Sequence, residues 1–301
     1  MQVHRDAVEF VIHTPAKLNL FFEVLAKRAD GYHEIETLMC PIDLYDTLYF
    51  REEPSGRLEL ECQWGHVPGK HGSAGFEQVP VGPENLVLRA VELVRRAGNV
   101  QRGANLRLVK RIPVAAGLGG GSSDAAAALT AANHGWGLGL GPDKLARLAA
   151  ELGSDVPFFL AGGSAVCRGR GERVEPVSDI GAWSFVVVRP PEGLATAAVY
   201  RACRPADEPW PLAPLVEALR KGDGGSAGRL LWNRLQPAAE GLSPWIGRLR
   251  EVFAGLDCLG HGMSGSGTSY FGLCRHARHA RRVARRLEAL GVGSVFAVRS
   301  C

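Results

Sequence analysis

One stretch decides the fold of this chain: Ile112-Pro113-Val114-Ala115-Ala116-Gly117-Leu118-Gly119-Gly120-Gly121-Ser122-Ser123-Asp124-Ala125-Ala126-Ala127-Ala128-Leu129. Its glycines allow a tight turn and let backbone N–H groups approach a ligand closely. The alanine run favours a helix, and Ser122, Ser123 and Asp124 are residue types that cap a helix start. Free N–H groups and the positive end of the helix dipole form an anion site there, usually for phosphate. The stretch therefore predicts a phosphate-binding loop ahead of a helix.

This loop differs from the two commonest phosphate loops. A Walker A loop needs G-x-x-x-x-G-K-[ST], and no lysine lies in the stretch. A Rossmann loop needs G-x-G-x-x-G/A, whereas the sixth place counted from Gly119 is taken by Asp124. The alternative is a flexible loop before a capped helix. Flexibility does not explain why two serines stand at the start of an alanine-rich helix.

Composition narrows the class of protein. The chain has 301 residues, of which 46% are hydrophobic and 22% charged, with a net charge of +4; this is typical of a globular protein of two domains. Its 38 glycines exceed the usual share of about 7%, and no Gly-X-Y period accompanies them. The longest run without Asp, Glu, Lys or Arg covers residues 125–142 and contains Asn133 and His134, so no membrane span is predicted. The first ten residues lack the apolar core of a secretory signal. Seven widely spread cysteines without a C-x-x-C pair indicate reduced thiols in a cytoplasmic protein.

The order of predicted elements indicates an α+β chain. Segments rich in β-branched and aromatic residues, or alternating in polarity, predict strands at 8–13, 18–25, 35–39, 44–50, 57–62 and 104–108. Apolar residues at helical spacing predict helices at 84–97 and 143–152. After residue 169 we expect a strand at 184–189, helices near 196–203, 212–221, 226–235 and 244–255, a loop at 262–267, a strand at 269–274, a helix at 277–290 and a strand at 294–298. Residues 63–83, rich in Gly, Pro and His, predict a surface loop.

Four segments together resemble the GHMP kinases, small-molecule kinases that include galactokinase, homoserine kinase and mevalonate kinase. Besides the glycine loop, these are Pro15-Ala16-Lys17-Leu18-Asn19-Leu20 with Arg28-Ala29-Asp30-Gly31-Tyr32-His33, then Leu152-Gly153-Ser154-Asp155-Val156-Pro157-Phe158-Phe159, and Gly262-Met263-Ser264-Gly265-Ser266-Gly267. They follow the family's order and spread over almost the whole chain. The resemblance implies a two-domain GHMP kinase fold. Residues 1–168 would form an ATP-binding and catalytic domain like ribosomal protein S5 domain 2, and residues 169–301 a ferredoxin-like C-terminal domain.

The resemblance also implies an activity, the ATP-dependent phosphorylation of a small-molecule alcohol. The AKLNL and RADGYH segments narrow the acceptor to the 2-hydroxyl of a cytidine diphosphate derivative of methylerythritol, in the non-mevalonate route to isoprenoid precursors. ATP would be the co-substrate, accompanied by Mg²⁺, with no metal ligand assigned among the side chains. We expect a monomer or weak homodimer in the cytoplasm, with neither nucleic acid nor membrane as a partner.

Asp155 and Lys17 are the catalytic candidates. Transfer of a phosphoryl group to an alcohol needs mostly positioning and charge stabilisation, with a cation on the transferred group and often a base for the hydroxyl. The resemblance implies that Asp155 accepts the hydroxyl proton, while Lys17 beside it polarises the hydroxyl or steadies the phosphoryl oxygens. The alternatives are that Asp155 only caps a short helix, with Pro157 in its first turn, and that Lys17 is an ordinary strand lysine.

The binding residues follow from the same resemblance. For the ATP phosphates they are Pro113, Val114, Ala115, Ala116, Gly117, Leu118, Gly119, Gly120, Gly121, Ser122 and Ser123. For the acceptor they are Asn19, Tyr32, His33, Thr196, Tyr200, Gly265 and Ser266. Tyr32 and Tyr200 would stack on cytosine, which His33 would recognise at its edge, although Tyr200 stands where the family often has Phe. Asn19 shares a strand face with Lys17, two residues away, and the loop with Gly265 would approach the acceptor's phosphates or methylerythritol end.

Two features fit the resemblance less well. The family often carries Asn-Asp-Leu-Glu where this chain has Asn233-Arg234-Leu235-Gln236, so we transfer no role to these positions. Residues 275–286 hold six arginines, opposite an apolar helix face of Ala277, Ala280, Val283, Ala284 and Leu287, which is typical of a solvated helix. Three alternatives stay open: a GHMP kinase for homoserine or mevalonate, a nucleic-acid-binding protein on the S5-type fold, and a catalytically inactive nucleotide-binding relative.

Overall fold

The computed structural model describes residues 1–5, 9–65 and 79–301. In chain order its strands, β1 to β12, are Gln2–Arg5, Phe10–Lys27, His33–Glu53, Leu58–Trp64, Gly103–Lys110, Ala165–Gly169, Arg173–Pro176, Ser184–Arg189, Trp232–Asn233, Gly260–Met263, Tyr270–Cys274 and Ser294–Arg299. Its helices, α1 to α10, are Leu86–Ala97, Gly120–Gly135, Pro142–Leu152, Val156–Ala161, Thr196–Ala202, Ala213–Arg220, Gly224–Arg229, Gln236–Leu242, Pro244–Ala254 and Ala277–Ala289. Most of the predicted loop at 63–83 lies outside the described residues.

The chain forms two compact units that alternate along the sequence. Unit 1 comprises Met1–Ala16, Leu44–Val114 and Gly119–Gly162, and unit 2 comprises Lys17–Asp43, Ala115–Leu118 and Gly163–Cys301. Strands β2 and β3 each begin in one unit and end in the other. A division into the two ranges 1–168 and 169–301 therefore stays a prediction.

Unit 1 contains two groups of paired strands and four helices. The second half of β3 pairs antiparallel with β5, which pairs parallel with β4, and β1 pairs antiparallel with the start of β2. Helices α1, α2, α3 and α4 contact one another. The predicted alanine-rich helix is confirmed as α2, and its alanines are almost completely buried because their small side chains let neighbouring elements approach closely. Helix α2 places the predicted phosphate loop at its N-terminal end.

Unit 2 contains the predicted ferredoxin-like arrangement. Strands β10, β11, β8 and β12 lie in that order in an antiparallel sheet, with α10 between the last two strands of the sequence. The apolar face predicted for α10 is confirmed, since Ala280, Val283, Ala284 and Leu287 are buried. Within the same unit, the first half of β3 pairs with β6, and β2 pairs in parallel with the two-residue strand β9. The predicted α+β fold class is confirmed.

Several element boundaries differ from the sequence predictions. The helix predicted at 226–235 is wrong over its second half, because α7 ends at Arg229 and residues 232–233 pair with Phe21 and Phe22 of β2. Helix α2 starts at Gly120, earlier than predicted, because Gly119 adopts a left-handed conformation with φ of 72° at the N-cap. The strands predicted at 8–13 and 18–25 are parts of one strand, β2.

None of the described helices is long and apolar enough to cross a membrane. All seven cysteines are described, and each is a free thiol.

Candidate functional site

Two glycine loops that lie far apart in the sequence meet within unit 2. The loop of residues 115–118 contacts the loop of residues 264–269, between β10 and β11: the Ser269 N–H donates to the Ala116 carbonyl at 3.0 Å, and Ser264 Oγ donates to the Gly117 carbonyl at 3.0 Å. Gly117 has a φ of +72°, and a Cβ at this position would lie 2.3 Å from the Ser264 carbonyl oxygen. Only glycine fits such a close approach of two backbones.

Strand β2 carries Lys17 and Asn19 to the same place in unit 2. The Lys17 N–H donates to the Leu118 carbonyl at 2.9 Å, and the Asn19 N–H donates to Ser264 Oγ at 3.1 Å. Both side chains are buried, and the Lys17 ammonium donates to Asn19 Oδ1, so the two residues share a strand face as their spacing predicts. A Cβ on Gly265 would lie 3.3 Å from Lys17 Nζ and 3.1 Å from Asn19 Oδ1. Two of the predicted residues, Asn19 and Gly265, thus lie next to the buried ammonium group of a third, Lys17.

Thr37 sets the orientation of the Asn19 amide. Asn19 Nδ2 donates to Thr37 Oγ1 at 2.8 Å, and Thr37 Oγ1 donates in turn to the Phe21 carbonyl at 2.6 Å. Because the amide nitrogen is held on this side, the amide oxygen faces Lys17. Sequence reasoning did not select Thr37, since a threonine in a strand carries no signal that distinguishes it from an ordinary core residue.

The side chain of Asn233 binds the loop of residues 264–269 through hydrogen bonds. The sequence alone predicted no role for this residue. Asn233 Nδ2 donates to the carbonyls of Met263 and Gly265 at 2.7 and 2.8 Å, and its Oδ1 accepts from the Leu235 N–H at 2.9 Å. Gln236 Oε1 accepts from the Met263 N–H at 3.1 Å. The amide thereby determines the position of Gly265 above Lys17. Asn233 and Ser264, like Thr37, support the site but were not selected by the sequence predictions.

Arg234, the departure from the family's usual acidic residue, pairs with a buried carboxylate. Glu23 on β2 has no exposed surface, and Arg234 Nε and Nη2 donate to its two carboxylate oxygens at 2.7 and 3.1 Å. The indole Nε1 of Trp232 and the backbone N–H of Trp210 also donate to Glu23, each at 3.1 Å. The arginine supplies the countercharge that an interior carboxylate needs.

The predicted cytosine-recognising residues also lie in unit 2. The rings of His33 and Tyr200 are 5.1 Å apart with an interplanar angle of 33°. Tyr32 is 53% exposed, with the Arg170 guanidinium 4.8 Å from its ring centroid. Asp30 closes the turn before them by accepting the Tyr32 N–H at 3.1 Å. Burial, together with the charge of Lys27, lowers the pKa of His33, so its imidazole is neutral at neutral pH and offers one donor and one acceptor.

Two further predicted residues of unit 2 contact each other. The hydroxyls of Thr196, at the start of α5, and Ser266, in the second glycine loop, are 2.9 Å apart. Thr268 Oγ1 of the same loop donates to the Glu192 carbonyl at 2.8 Å. These bonds attach the segment before α5 to the loop that approaches Lys17.

In unit 1, the first turn of α2 presents its two serines differently. Ser123 is fully buried, and its Oγ donates to the Pro15 carbonyl at 2.6 Å. Ser122 is half-buried and Gly121 is exposed. The N–H groups of the first turn of a helix have no partners within the helix. The open surface of this phosphate-type loop is therefore formed by backbone around Gly121 and by Ser122, while Ser123 anchors the turn.

Asp155, also in unit 1, occupies the N-cap position of α4, with Pro157 in the first turn. Its side chain makes no capping hydrogen bond, and the residue is half-buried. Asp155 therefore occupies the position of a helix cap, but its carboxylate makes no capping hydrogen bond to α4. Within the described part of the chain, no three His, Cys, Asp or Glu side chains are grouped as a metal site.

The chain is similar in sequence to proteins of a known family. The model of the GHMP kinases N terminal domain matches residues 85–163, and that of the GHMP kinases C terminal domain matches residues 215–293. Proteins named 4-diphosphocytidyl-2-C-methyl-D-erythritol kinase are similar to the chain: 45% identity in Pelotomaculum thermopropionicum, covering 90% of this chain and 91% of the relative, and 40% in a Nocardioides species, covering 95% of each.

A solved structure extends the likeness to three dimensions. The crystal structure of a 4-(cytidine 5'-diphospho)-2C-methyl-D-erythritol kinase has a TM-score of 0.80 at 37% identity, over 97% of this chain and 99% of that one. A homoserine kinase from Cytophaga hutchinsonii, at 19% identity and a TM-score of 0.73 over 100% of this chain and 96% of that one, shares the fold. With both domain models matched in order, and with relatives this similar over nine-tenths of their length, the chain belongs to the GHMP kinase family.

Proposed function

We propose that this chain transfers the γ-phosphoryl group of ATP to the 2-hydroxyl of 4-diphosphocytidyl-2-C-methyl-D-erythritol, giving the 2-phosphate and ADP. The observation that carries the proposal is that relatives 40–45% identical over at least nine-tenths of the chain are named for this acceptor. The ring pair of His33 and Tyr200 in unit 2 supports it, because a cytosine needs flat apolar faces and an edge with donors and acceptors.

ATP binds through residues 113–123, with its phosphates at the N-terminal turn of α2. The exposed backbone around Gly121 and the half-buried Ser122 hydroxyl support this role, since backbone N–H groups at a helix start bind anions. Ser123, whose hydroxyl is bonded to the Pro15 carbonyl, holds the turn in place. Mg²⁺ enters as part of the nucleotide substrate.

Asp155 accepts the proton of the acceptor's hydroxyl as its oxygen attacks the γ-phosphorus and ADP leaves. The half-buried position of Asp155 at the start of α4, ahead of the buried Val156 and Pro157, supports the role. Lys17 supplies the positive charge that phosphoryl transfer requires, and Asn19 orients its ammonium group. Tyr32, His33 and Tyr200 bind the cytidine end, and Gly265, Ser266 and Thr196 bind the remainder of the acceptor. The enzyme acts as a monomer or weak homodimer in the cytoplasm.

A coupled assay of ADP release tests the function. ADP should appear with the cytidylyl acceptor and not with homoserine or mevalonate, which serve as controls for the other members of the family. Release only with homoserine or mevalonate would assign a different acceptor. Release with none of the three, combined with salt-dependent RNA binding, would favour the nucleic-acid-binding alternative.

Two variants separate the roles of the site residues. Asp155→Asn should lower kcat by about 100-fold or more, the usual scale of general-base catalysis, while ATP still binds. Tyr32→Ala should raise the KM for the cytidylyl acceptor far more than the KM for ATP. Full activity of the first variant, or equal KM changes in the second, would contradict the assigned roles.

A further inference from the structure

A buried ion cluster lies directly behind the first turn of α2 in unit 1. It consists of Lys110 at the end of β5, Asp46 on β3 and Asp124 in the second turn of α2, which are 2%, 0% and 3% exposed. Lys110 Nζ donates to Asp46 Oδ2, and it donates to Asp124 Oδ2 at 2.6 Å. None of the roles assigned above uses these three side chains.

The cluster connects β3, the end of β5 and the start of α2, the last two of which flank the predicted phosphate loop. Asp46 Oδ1 accepts the backbone N–H groups of Arg111 and of Ile112, the latter at 2.9 Å, and so holds the chain where it enters the loop. A Cβ on Gly120 would lie 3.2 Å from Lys110 Nζ, so the ammonium group lies against the first residue of α2. Movement of any of the three side chains would therefore displace the backbone that binds phosphate.

The charges of the cluster do not balance when all three groups are ionised. Two carboxylates and one ammonium group leave one negative charge in the protein interior, where an uncompensated charge is strongly unfavourable. That charge would also lie behind a helix N-terminus whose proposed ligand is a polyphosphate, and would repel it. A single proton on the carboxyl pair removes both penalties.

Hydrogen bonding indicates which carboxyl group holds this proton. Asp46 accepts from Lys110 and from two backbone N–H groups, and each of these donors stabilises its charged form. Asp124 accepts from Lys110, whereas its Oδ1 is buried and has no hydrogen-bond partner among the residues that the structure describes. Both carboxyl groups bind the same ammonium group, so the negative charge of Asp46 further favours the protonated form of Asp124. Asp124 is the protonated member.

We propose that Asp46, Lys110 and Asp124 are positioning residues for the nucleotide site, and that Asp124 must carry a proton for ATP to bind tightly. This inference rests on the proposed function, because it takes the turn of α2 as the phosphate site. The proton on Asp124 affects the binding of ATP and takes no part in the phosphoryl transfer itself.

The titration behaviour of the surrounding groups is consistent with the proposal. Burial, opposed by the charge of Lys110 and reinforced by that of Asp46, raises the pKa of Asp124 to about 8. Burial alone would lower the pKa of Lys110, but the charges of Asp124 and Asp46 outweigh it and raise that pKa. Cys62 on β4 faces the same cluster, and burial raises its pKa to about 11. The pKa of Asp124 therefore lies between pH 7.5 and 9.5, whereas the pKa values of Lys110 and Cys62 lie above this range.

The test is direct binding of MgATP without acceptor, measured by isothermal titration calorimetry from pH 7.5 to 9.5. ATP keeps a constant charge in this range, because the last phosphate ionisation lies near pH 6. For the unmodified chain, Kd should rise by about tenfold between these limits, as expected for a unit charge near a polyanion at an effective dielectric constant of about 20. At pH 8.5, repeating the titration in buffers of different ionisation enthalpy should reveal uptake of a fraction of a proton per ATP bound.

Asp124→Asn is the decisive variant, because the amide has the shape and neutrality of the protonated carboxyl. Its Kd at pH 7.5 should lie within about twofold of the unmodified value, remain constant to pH 9.5, and show no proton uptake. Asp143→Asn, an exposed change of the same type in the first turn of α3, is the matched control and should keep the pH dependence.

The outcomes separate this inference from the proposed function. ATP binding with the same pH dependence in the unmodified chain and in Asp124→Asn would overturn the inference and leave the proposed function intact. So would a Kd raised more than tenfold in Asp124→Asn at pH 7.5, because an ionised carboxylate would then be required. A failure of the unmodified chain to bind ATP at any pH would overturn the proposed function itself.

Discussion

Replacing Asn233 by aspartate should weaken the attachment of the second glycine loop strongly. The amide nitrogen now donates to two buried carbonyls at 2.7 and 2.8 Å, from Met263 and Gly265. An aspartate of the same shape offers no donor to either carbonyl and places a carboxylate oxygen against both. Each buried carbonyl left without its donor costs about 1–3 kcal/mol, so the two together cost about 4 kcal/mol at the middle of that range.

The structure therefore predicts that Asn233→Asp lowers the free energy of unfolding by about 4 kcal/mol at pH 7.5. The loss should be smaller at pH 5. A buried carboxyl that faces acceptors has a raised pKa in the folded state, so it binds a proton and regains one donor as the pH falls. Urea unfolding at both pH values, followed by far-ultraviolet circular dichroism, measures the effect.

Kinetics should show the consequence for the site. Gly265 lies over Lys17 and Asn19, so a displaced loop should raise the KM for the acceptor and lower kcat together. Gln101→Glu, an exposed change from an amide to a carboxylate, is the control and should alter stability by less than about 0.5 kcal/mol. A loss below about 1 kcal/mol in Asn233→Asp, or the same loss at both pH values, would refute the argument from the two carbonyls.

Three further predictions concern other parts of the molecule. Gly121→Ala should raise the KM for ATP about tenfold, because the new Cβ would point toward the N-terminus of α2, where the phosphates bind. Thermal stability should not fall, since this Cβ would meet only Leu86 Cδ1, at 3.8 Å, within the fold. An unchanged KM would show that this turn is not part of the ATP site. Arg234→Met should lower the free energy of unfolding by about 3 kcal/mol, because it leaves Glu23 buried without its countercharge. Adding Glu23→Gln should restore most of this loss, which a double-mutant cycle measured by denaturant unfolding would show. Asp124→Asn should stabilise the fold increasingly as the pH rises from about 4 to about 8, and by a constant amount above pH 8, because in that range the folded unmodified chain keeps a proton that its unfolded state releases. Thermal unfolding of both proteins at pH 5, 7 and 9 measures this, and a stability difference that does not change with pH would contradict the raised pKa.

Local patterns in the sequence predicted the elements that carry the site. The glycine loop followed by alanines was sufficient to predict α2, since helix formation depends on propensity and on a permissive N-terminal conformation within a few residues. The apolar face of α10 followed in the same way from a spacing of three and four residues. The short strand β9 was missed because two residues carry no periodicity, and their extended conformation depends on pairing with β2.

Contacts between distant segments had no local signal. Nothing in the order of residues indicates that Gly117 lies against Ser264, or that Asn233 holds Gly265 in place. The partner of Glu23 was equally hidden, because an arginine that departs from a family motif gains meaning only from the carboxylate beside it.

The sequence by itself determined the family and the fold class. It also predicted the chemical types at the site: glycines for close backbone approach, a helix start for phosphate, Asp155 as a base and Lys17 as a positive charge. Only the tertiary structure decided how these groups are supported. Burial and hydrogen-bond geometry depend on residues far apart in the chain, and they give Asn19 its orientation, hold the second glycine loop through Asn233, and bring three ionisable side chains together behind α2. The charge state of a side chain depends on its burial, on nearby charges and on its hydrogen bonds. These are known only once the chain is folded.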